Sequence, residues 1–381
     1  MADVFDAAQI GSLTVQNRFV RSATYEGIAA ADGATTHGLN AMMRHLAVGG
    51  VGLIITGHAF VHPQGRAGGR QLGIHDDAMI PGLKEMTDGV HDAGGAICLQ
   101  LAHAGLHALT SVTGQPALGP SSHDEKGTER GTAMTEDDIA EVVRSFGEGA
   151  ARAKAAGFDA VQIHAAHGYL LSQFLSPFFN RRQDAWGGSR EGRERIVMDV
   201  YAAVREAVGP DYPVLIKINA HDYMMAAKEC YEDDDMLHVC GRLQEAGITA
   251  VELSGGTIYD SGKYGPSRMG MIREAREGYF RAPAQRFKEQ LSVPLLLVGG
   301  IRSLERAEHF VDTGLCDFIS MCRPFICEPD LVNRWKSGNR EKSACFSDNM
   351  CRRPLMEGEG VYCVLKKKRN RNARENAEEV S

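Results

Sequence analysis

Two histidines three residues apart, His164 and His167, and a tyrosine two positions beyond the second, Tyr169, stand where the apolar run DAVQIH ends. Histidines so spaced can bind a metal, grip an anionic atom of a substrate, or serve only as hydrogen-bonding members of a core. A catalytic metal needs a third protein ligand, and the following GYLLSQFLSPFFN offers no carboxylate. As paired donors they can hold a carbonyl or nitro oxygen and stabilise the charge that develops there when a conjugated double bond is attacked. Tyr169 can then give a proton to the carbon next to that group.

Other polar residues close apolar runs in the same way. Gly299 and Gly300 end PLLLVGG, where backbone N–H groups can approach a phosphate closely. Arg323, in CRPF at the end of another run, suits a bidentate contact with that phosphate. Lys217 ends PVLIKI, and a fixed cation there favours a negatively charged ligand edge such as the pyrimidine end of a reduced flavin. Gln100, near the end of AICLQL, offers both donor and acceptor and suits an imide edge.

Eight short runs of branched apolar residues must position these groups: FVRSAT, GLIITG, AICLQL, DAVQIH, PVLIKI, TAVELS, PLLLVGG and DFISMC. Each is long enough for a buried strand, and amphipathic segments follow most of them. In MTEDDIAEVVRSFGEGAARAKAAGF, Thr135 and Asp138 form an acidic variant of the capping box, and Ile139, Val142, Val143, Phe146 and Ala150 keep the helical period. Strand and helix in alternation fit a doubly wound sheet or a closed barrel. The gathering of polar residues at the C-terminal ends of the runs favours an α/β fold of the (β/α)8 TIM-barrel type, whose strand ends share one mouth. The expected organisation is a barrel over residues 1–340 and a C-terminal extension over 341–381. The stretch from His103 to about Met134 is the longest expected insertion, a candidate roof for the site.

With 381 residues, 43% hydrophobic and 24% charged, the chain can bury a large core. Its formal net charge of −7 argues against a nucleic-acid surface. The basic stretch KKKRNRNAR near the end reads as a solvated, disordered tail. MADVFDAAQIGSLTVQNRF is neither a signal peptide nor a membrane span, so a cytoplasmic protein is expected. Nine cysteines, several in strand-like runs, suggest reduced and mostly buried thiols.

HAAHGYLLSQFLSPFFNRRQDAWGGSREGRERI, from His164 to Ile196, resembles the signature of the Old Yellow Enzyme family, the NADH:flavin oxidoreductases that act as ene reductases. Supporting matches are IGSLTVQNRFV, GLIITG, LQLAHAG, GPSS, VGGIRS and CRPFICEPDLV, so the likeness covers nearly the whole chain. The resemblance implies an eightfold barrel holding FMN at its mouth, reduced by NADH or NADPH and reoxidised by a small α,β-unsaturated substrate such as an enone, enal or nitroalkene. It also implies roles by motif position. Gln100 and Lys217 would meet the isoalloxazine, Lys217 standing where relatives often have Arg, and Ala23, Thr24 and Gly57 would line the flavin. Gly300 and Arg323, with Gly299 beside them, would hold its phosphate, Cys322 would contact the cofactor, His164 and His167 would bind the substrate's activating group, and Tyr169 would be the proton donor. A homo-oligomer is compatible with this reading. No resident metal, nucleic acid or membrane is expected. The alternatives are a flavin-dependent dehydrogenase or demethylase using the same site in the other direction, or a dienoyl reductase-like enzyme with a degenerate cluster site.

Three departures stand out. Tyr25 occupies the place of a Thr or Cys in better-known relatives, and Trp186 replaces a commoner Tyr. Longer relatives, which resemble dienoyl-CoA reductases and trimethylamine dehydrogenase, carry a four-iron cluster on four cysteines. Here Cys345, Cys351 and Cys363 keep three of those places and Asp348 takes the other, so the set reads as a remnant.

Overall fold

The structure, a computed structural model, describes residues 3–125, 128–224, 227–259, 264–369 and 371. Eight parallel strands form the barrel: β1 (Phe19–Arg21), β2 (Leu53–Ile55), β3 (Ala96–Ala102), β4 (Ala160–Ala165), β5 (Val214–Asn219), β6 (Ala250–Ser254), β7 (Leu295–Leu297) and β8 (Phe318–Met321). Each pairs with the next, and β8 pairs with β1, so the sheet closes on itself. This closure decides between the two architectures that alternation allows. Every strand residue in β4, β5 and β6 is buried, as expected for parallel strands covered on both faces.

The outward residues of the strands pack beneath a ring of helices: α1 (His37–Val48), α2 (Ile80–His91), α3 (Glu136–Ala155), α4 (Arg190–Val208), α5 (Asp233–Glu245), α6 (Arg281–Gln290), α7 (Leu304–Asp312) and α8 (Leu331–Lys336). α3 begins as its sequence predicts. Thr135 Oγ1 accepts from the Asp138 N–H at 3.1 Å, and Asp138 Oδ2 accepts from the Thr135 N–H at 2.8 Å.

Inward positions follow the two-residue period of a strand, and their character changes with height. Lowest is an apolar layer that includes Val20, Ala160, Leu215, Ala250 and Phe318, closed from below by the hairpin Ala8–Ile10 with Leu13–Val15. Two residues further along the same strands stand Ser22, Gln162, Lys217, Glu252 and Ser320. Two more reach Thr24, His164, Asn219, Ser254 and Cys322 at the mouth. The sequence therefore writes each strand as a ladder from core to chemistry.

The expected insertion contains two short helical turns, a parallel pair (Leu118–Gly119 with Thr132–Ala133) and a hairpin (His123–Glu125 with Thr128–Arg130). Its described residues do not line the cavity that it was expected to roof. Arg181 and Arg182 hold it to one side, through bonds to Ser122 O, Pro120 O and Met134 O. Residues 343–361 instead come back over the mouth. Ser343 N–H donates to Arg302 O and Val361 N–H donates to Glu26 O. Residues 364–369 are helical, while the rest of the tail expected to be disordered, 370 and 372–381, lies outside the described residues except for 371.

Candidate active site

A hydrogen-bonded layer supports the site from below. Gln100 Nε2 donates to Gln162 Oε1 at 2.7 Å, and Gln162 Nε2 donates to Glu252 Oε2 at 2.9 Å. Ser320 Oγ donates to Glu252 Oε1 at 2.6 Å. Lys217 Nζ lies 3.2 Å from Glu252 Oε1 and donates to Ser22 Oγ at 2.7 Å. Burial alone would push the Glu252 carboxyl up, but Lys217 and the hydroxyl and amide donors outweigh it and hold the group below its usual range. Glu252 is thus an ionised carboxylate with no solvent exposure, and Lys217 is its counter-ion.

Above this layer lies a cavity of about 380 Å³, within the range of about 300–1,000 Å³ usual for small-molecule and cofactor sites. Of the residues singled out in the sequence, Ala23, Thr24, Lys217 and Gly300 line it, as do Cys322, Arg323, His167 and Tyr169. Four others stand behind the wall. Gln100 is one layer down, spending its amide on Gln162. Gly57 donates its N–H to Glu26 Oε1 at 2.8 Å. Gly299 turns the chain toward the cavity with φ 140°, followed by Gly300 with φ 73°. Both angles favour glycine, which brings bare backbone to the wall. His164 is 3% exposed and its ring is boxed by those of His58, His167 and Tyr169.

The histidine pair and the tyrosine do converge. Ring centroids of His164 and His167 are 5.1 Å apart, and those of His164 and Tyr169 are 5.0 Å apart, both edge to face. Burial first, and then neighbouring cationic positions including Lys217, hold both imidazoles well below their usual pKa, so both are neutral. His164 Nδ1 accepts from the Ala166 N–H at 3.3 Å, which leaves the proton on Nε2. His167 sits at φ 66°, a left-handed conformation that costs a non-glycine residue about 1–3 kcal/mol. Its N–H donates to Asn219 Oδ1 at 3.0 Å, and its Nε2 meets Ser254 Oγ at 2.8 Å. Burial pushes the Tyr169 phenol up to about 12, so it stays protonated and can act as a proton source.

Several wall residues were not singled out in the sequence. His58 stands three residues beyond the end of β2, lies 3.5 Å from the Tyr169 hydroxyl through Nε2, and stacks on Tyr25 at 5.5 Å and 16°. Burial lowers its pKa to about 4. The same strand-end criterion that picked out His164 would have found it. Ser347, Asn349 and Arg352, from the C-terminal extension, also line the cavity, and no local pattern marks them, while Cys351 beside them was picked out only for the remnant cysteine set. Among the described residues the one group that could close three ligands on an ion is His221, Cys230 and Glu232, which includes neither His164 nor His167.

Arg323, bonded through Nη1 to Arg268 O at 2.9 Å and Asn349 Oδ1 at 2.8 Å, and the bare backbone of Gly300 give one end of the cavity the donors an anionic group needs. Lys217 marks its floor, while Ala23, Val298, Met321 and Leu355 supply apolar wall. A long ligand with a flat apolar body and a phosphate tail fits this donor set. The model of the NADH:flavin oxidoreductase / NADH oxidase family matches residues 3–342. The chain belongs to that family. FMN is the cofactor of these oxidoreductases, and the chain's cavity carries the donors to hold it.

Relatives agree. The chain is 34% identical to a metal reductase of Desulforamulus reducens over 98% of its own length and 55% of that protein. It is 33% identical to an NADH oxidase of Thermoanaerobacter brockii over 96% of its length and 58% of that protein. It thus spans little more than half of these two relatives. A 4,4'-dithiodibutanoate disulfide reductase of Rhodococcus erythropolis is 32% identical over 95% of both chains. Among solved structures, morphinone reductase superposes with a TM-score of 0.73 at 27% identity, over 89% of this chain and 92% of that one. No helix among the described residues is long and apolar enough to cross a membrane.

Proposed function

We propose that the protein is an FMN-dependent NADH or NADPH oxidoreductase that reduces the double bond of a small activated alkene. FMN, when bound, supplies a hydride taken from the nicotinamide to the β-carbon of the alkene. His167 and His164 hold the activating oxygen. His164 carries its proton on Nε2, and in the tautomer where Ser254 Oγ–H donates to His167 Nε2 the His167 proton is on Nδ1, so that each neutral ring keeps one N–H to donate. Donors of this kind are each worth about 2.7–4 kcal/mol when aimed at a developing oxyanion. Tyr169 delivers the proton to the α-carbon. Lys217 stabilises negative charge at the floor, and Arg323 with the Gly300 backbone holds the phosphate. Nine free cysteines suit a reducing cytoplasm.

The observation that carries this reading is that His167 and Tyr169, with the His164 ring packed edge to face against both, face a cavity whose floor is Lys217 and whose end is Arg323. The nearly full-length likeness to a disulfide reductase adds a second acceptor class, an organic disulfide, for the same site. Half-reactions measured separately test both. Tyr169→Phe should slow reoxidation by an enone roughly 10²- to 10⁴-fold while leaving reduction by the nicotinamide near the parent rate. Unchanged reoxidation would remove Tyr169 from the chemistry. A disulfide that reoxidises the protein faster than any enone would make disulfide the acceptor.

A further inference from the structure

Beyond the alkene site, four cysteines from two parts of the chain line one small cavity. Cys327 ends the short helix Arg323–Cys327, while Cys345, Cys351 and Cys363 belong to the returning C-terminal segment. The sequence motif did not include Cys327. In the structure its Sγ lies 3.6 Å from Cys363 Sγ, 36 residues further along the chain. The cavity measures about 20 Å³, room for about one water. No three of the four thiols close on one another tightly enough to share a single ion among the described residues. What the arrangement does provide is two sulfurs 3.6 Å apart, against about 2.05 Å in a disulfide.

We propose that Cys327 and Cys363 form a reversible disulfide by exchange with a low-molecular-weight disulfide, pinning the C-terminal segment to the helix that carries Arg323. Cys363 is half-buried and Cys327 is 4% exposed, so Cys363 meets the reagent first. Its sulfur attacks one sulfur of the reagent as a thiolate, forming a mixed disulfide and expelling one small thiolate. Cys327 then loses its proton and attacks Cys363 Sγ, closing the internal bond and expelling the second small thiolate. The two protein thiols are oxidised by two electrons, and the reagent is reduced to two thiols. Cys345 and Cys351 are both pushed up by burial, Cys351 to about 12, and are poorer nucleophiles.

The consequence falls on the cavity wall. Arg323 donates to Asn349 Oδ1, and Ser347, Asn349 and Cys351 line the mouth between Cys327 and Cys363. A covalent tie would close this stretch into a loop and hold it over the cofactor's phosphate end. The inference about the tie's effect rests on the FMN reading, but the thiol chemistry does not. Disulfides in a reducing compartment are usually transient and redox-sensing, which suits a reversible tie.

The test is to treat the purified flavoprotein with oxidised glutathione and read its intact mass and peptide map. The parent should lose two hydrogens, yield a Cys327–Cys363 linked peptide, and recover with dithiothreitol. Cys327→Ser should stop at the first step, gaining one glutathione on Cys363, and Cys363→Ser should give neither product. Trypsin should cut the segment 352–369 more slowly in the oxidised parent than in the reduced parent, with no difference in Cys363→Ser. Free Cys327 and Cys363 beside glutathione on other cysteines would overturn the pairing. So would stoichiometric iron or zinc that blocks both thiols in the purified protein. A linked peptide without slower cleavage would overturn the pinning.

Discussion

Replacing Lys217 by Met removes the cation from the middle layer of the barrel and leaves Glu252 charged and enclosed. The two side chains are 3% and 0% exposed, and Nζ lies 3.2 Å from Oε1. Breaking a buried pair from one side costs about 3–5 kcal/mol. Glu252 keeps donors from Ser320 and Gln162, so the expected loss is at the low end, about 3 kcal/mol. Adding Glu252→Gln removes the orphaned charge and should restore most of that loss. Urea unfolding of the FMN-free proteins measures it without the cofactor's own contribution to stability. The pH dependence adds a sign. In the parent, Lys217 and the other donors depress the Glu252 pKa below the ordinary glutamate value of 4.5, so that carboxylate's stabilising contribution is present above 4.5 and is lost as pH falls. In the single variant burial prevails, the carboxyl is protonated in the folded chain near pH 4.5, and the penalty grows as pH rises toward 7. A single variant within 1 kcal/mol of the parent, or a double variant no more stable than the single, would show that this pair does not anchor the layer.

Other consequences follow from the same structure. Arg323→Ala should weaken FMN binding roughly 10- to 100-fold, the worth of a charge-assisted contact, and equilibrium dialysis showing parent affinity would refute the phosphate assignment. His167→Ala should slow reoxidation by an enone and spare reduction by the nicotinamide, whereas equal loss in stopped-flow traces of both half-reactions would make it a folding residue. His58, at about 4 in the fold against 6.5 outside it, stays neutral where the unfolded chain takes a proton. Its contribution is therefore full above 6.5 and falls away toward pH 4, by on the order of 3 kcal/mol. His58→Asn should flatten that part of the FMN-free protein's acid unfolding profile, and an unchanged profile would contradict a buried neutral imidazole.

All eight strands were legible because parallel strands buried on both faces must be written as short apolar runs. Closure into a barrel was not, since it depends on pairing between β8 and β1, residues near opposite ends of the chain. Gln100 was expected at the mouth, but β3 runs on to Ala102, which leaves Gln100 one layer lower, bonded to Gln162. Glu252 escaped notice because TAVELS reads as an ordinary strand, and nothing local shows that its carboxylate faces Lys217 on the neighbouring strand. The histidine pair drew attention by its spacing at the end of an apolar run, which by itself left metal, substrate and core roles open. Its supports were not, because Asn219 and Ser254 reach His167 from two other strands. The wall built by Asn349 and Arg352 was hidden for the same reason: it depends on where a distant segment comes to rest.

The central claim is that this cavity holds FMN and passes a hydride from a nicotinamide to a polarised double bond. An absorbance spectrum of the purified protein during anaerobic titration with NADH, then NADPH, then an enone, tests it directly. A yellow chromophore bleached by one of the nicotinamides and restored by the enone is the expected result. A folded protein that stays colourless after incubation with FMN, or a reduced flavin that no activated alkene reoxidises, would contradict it.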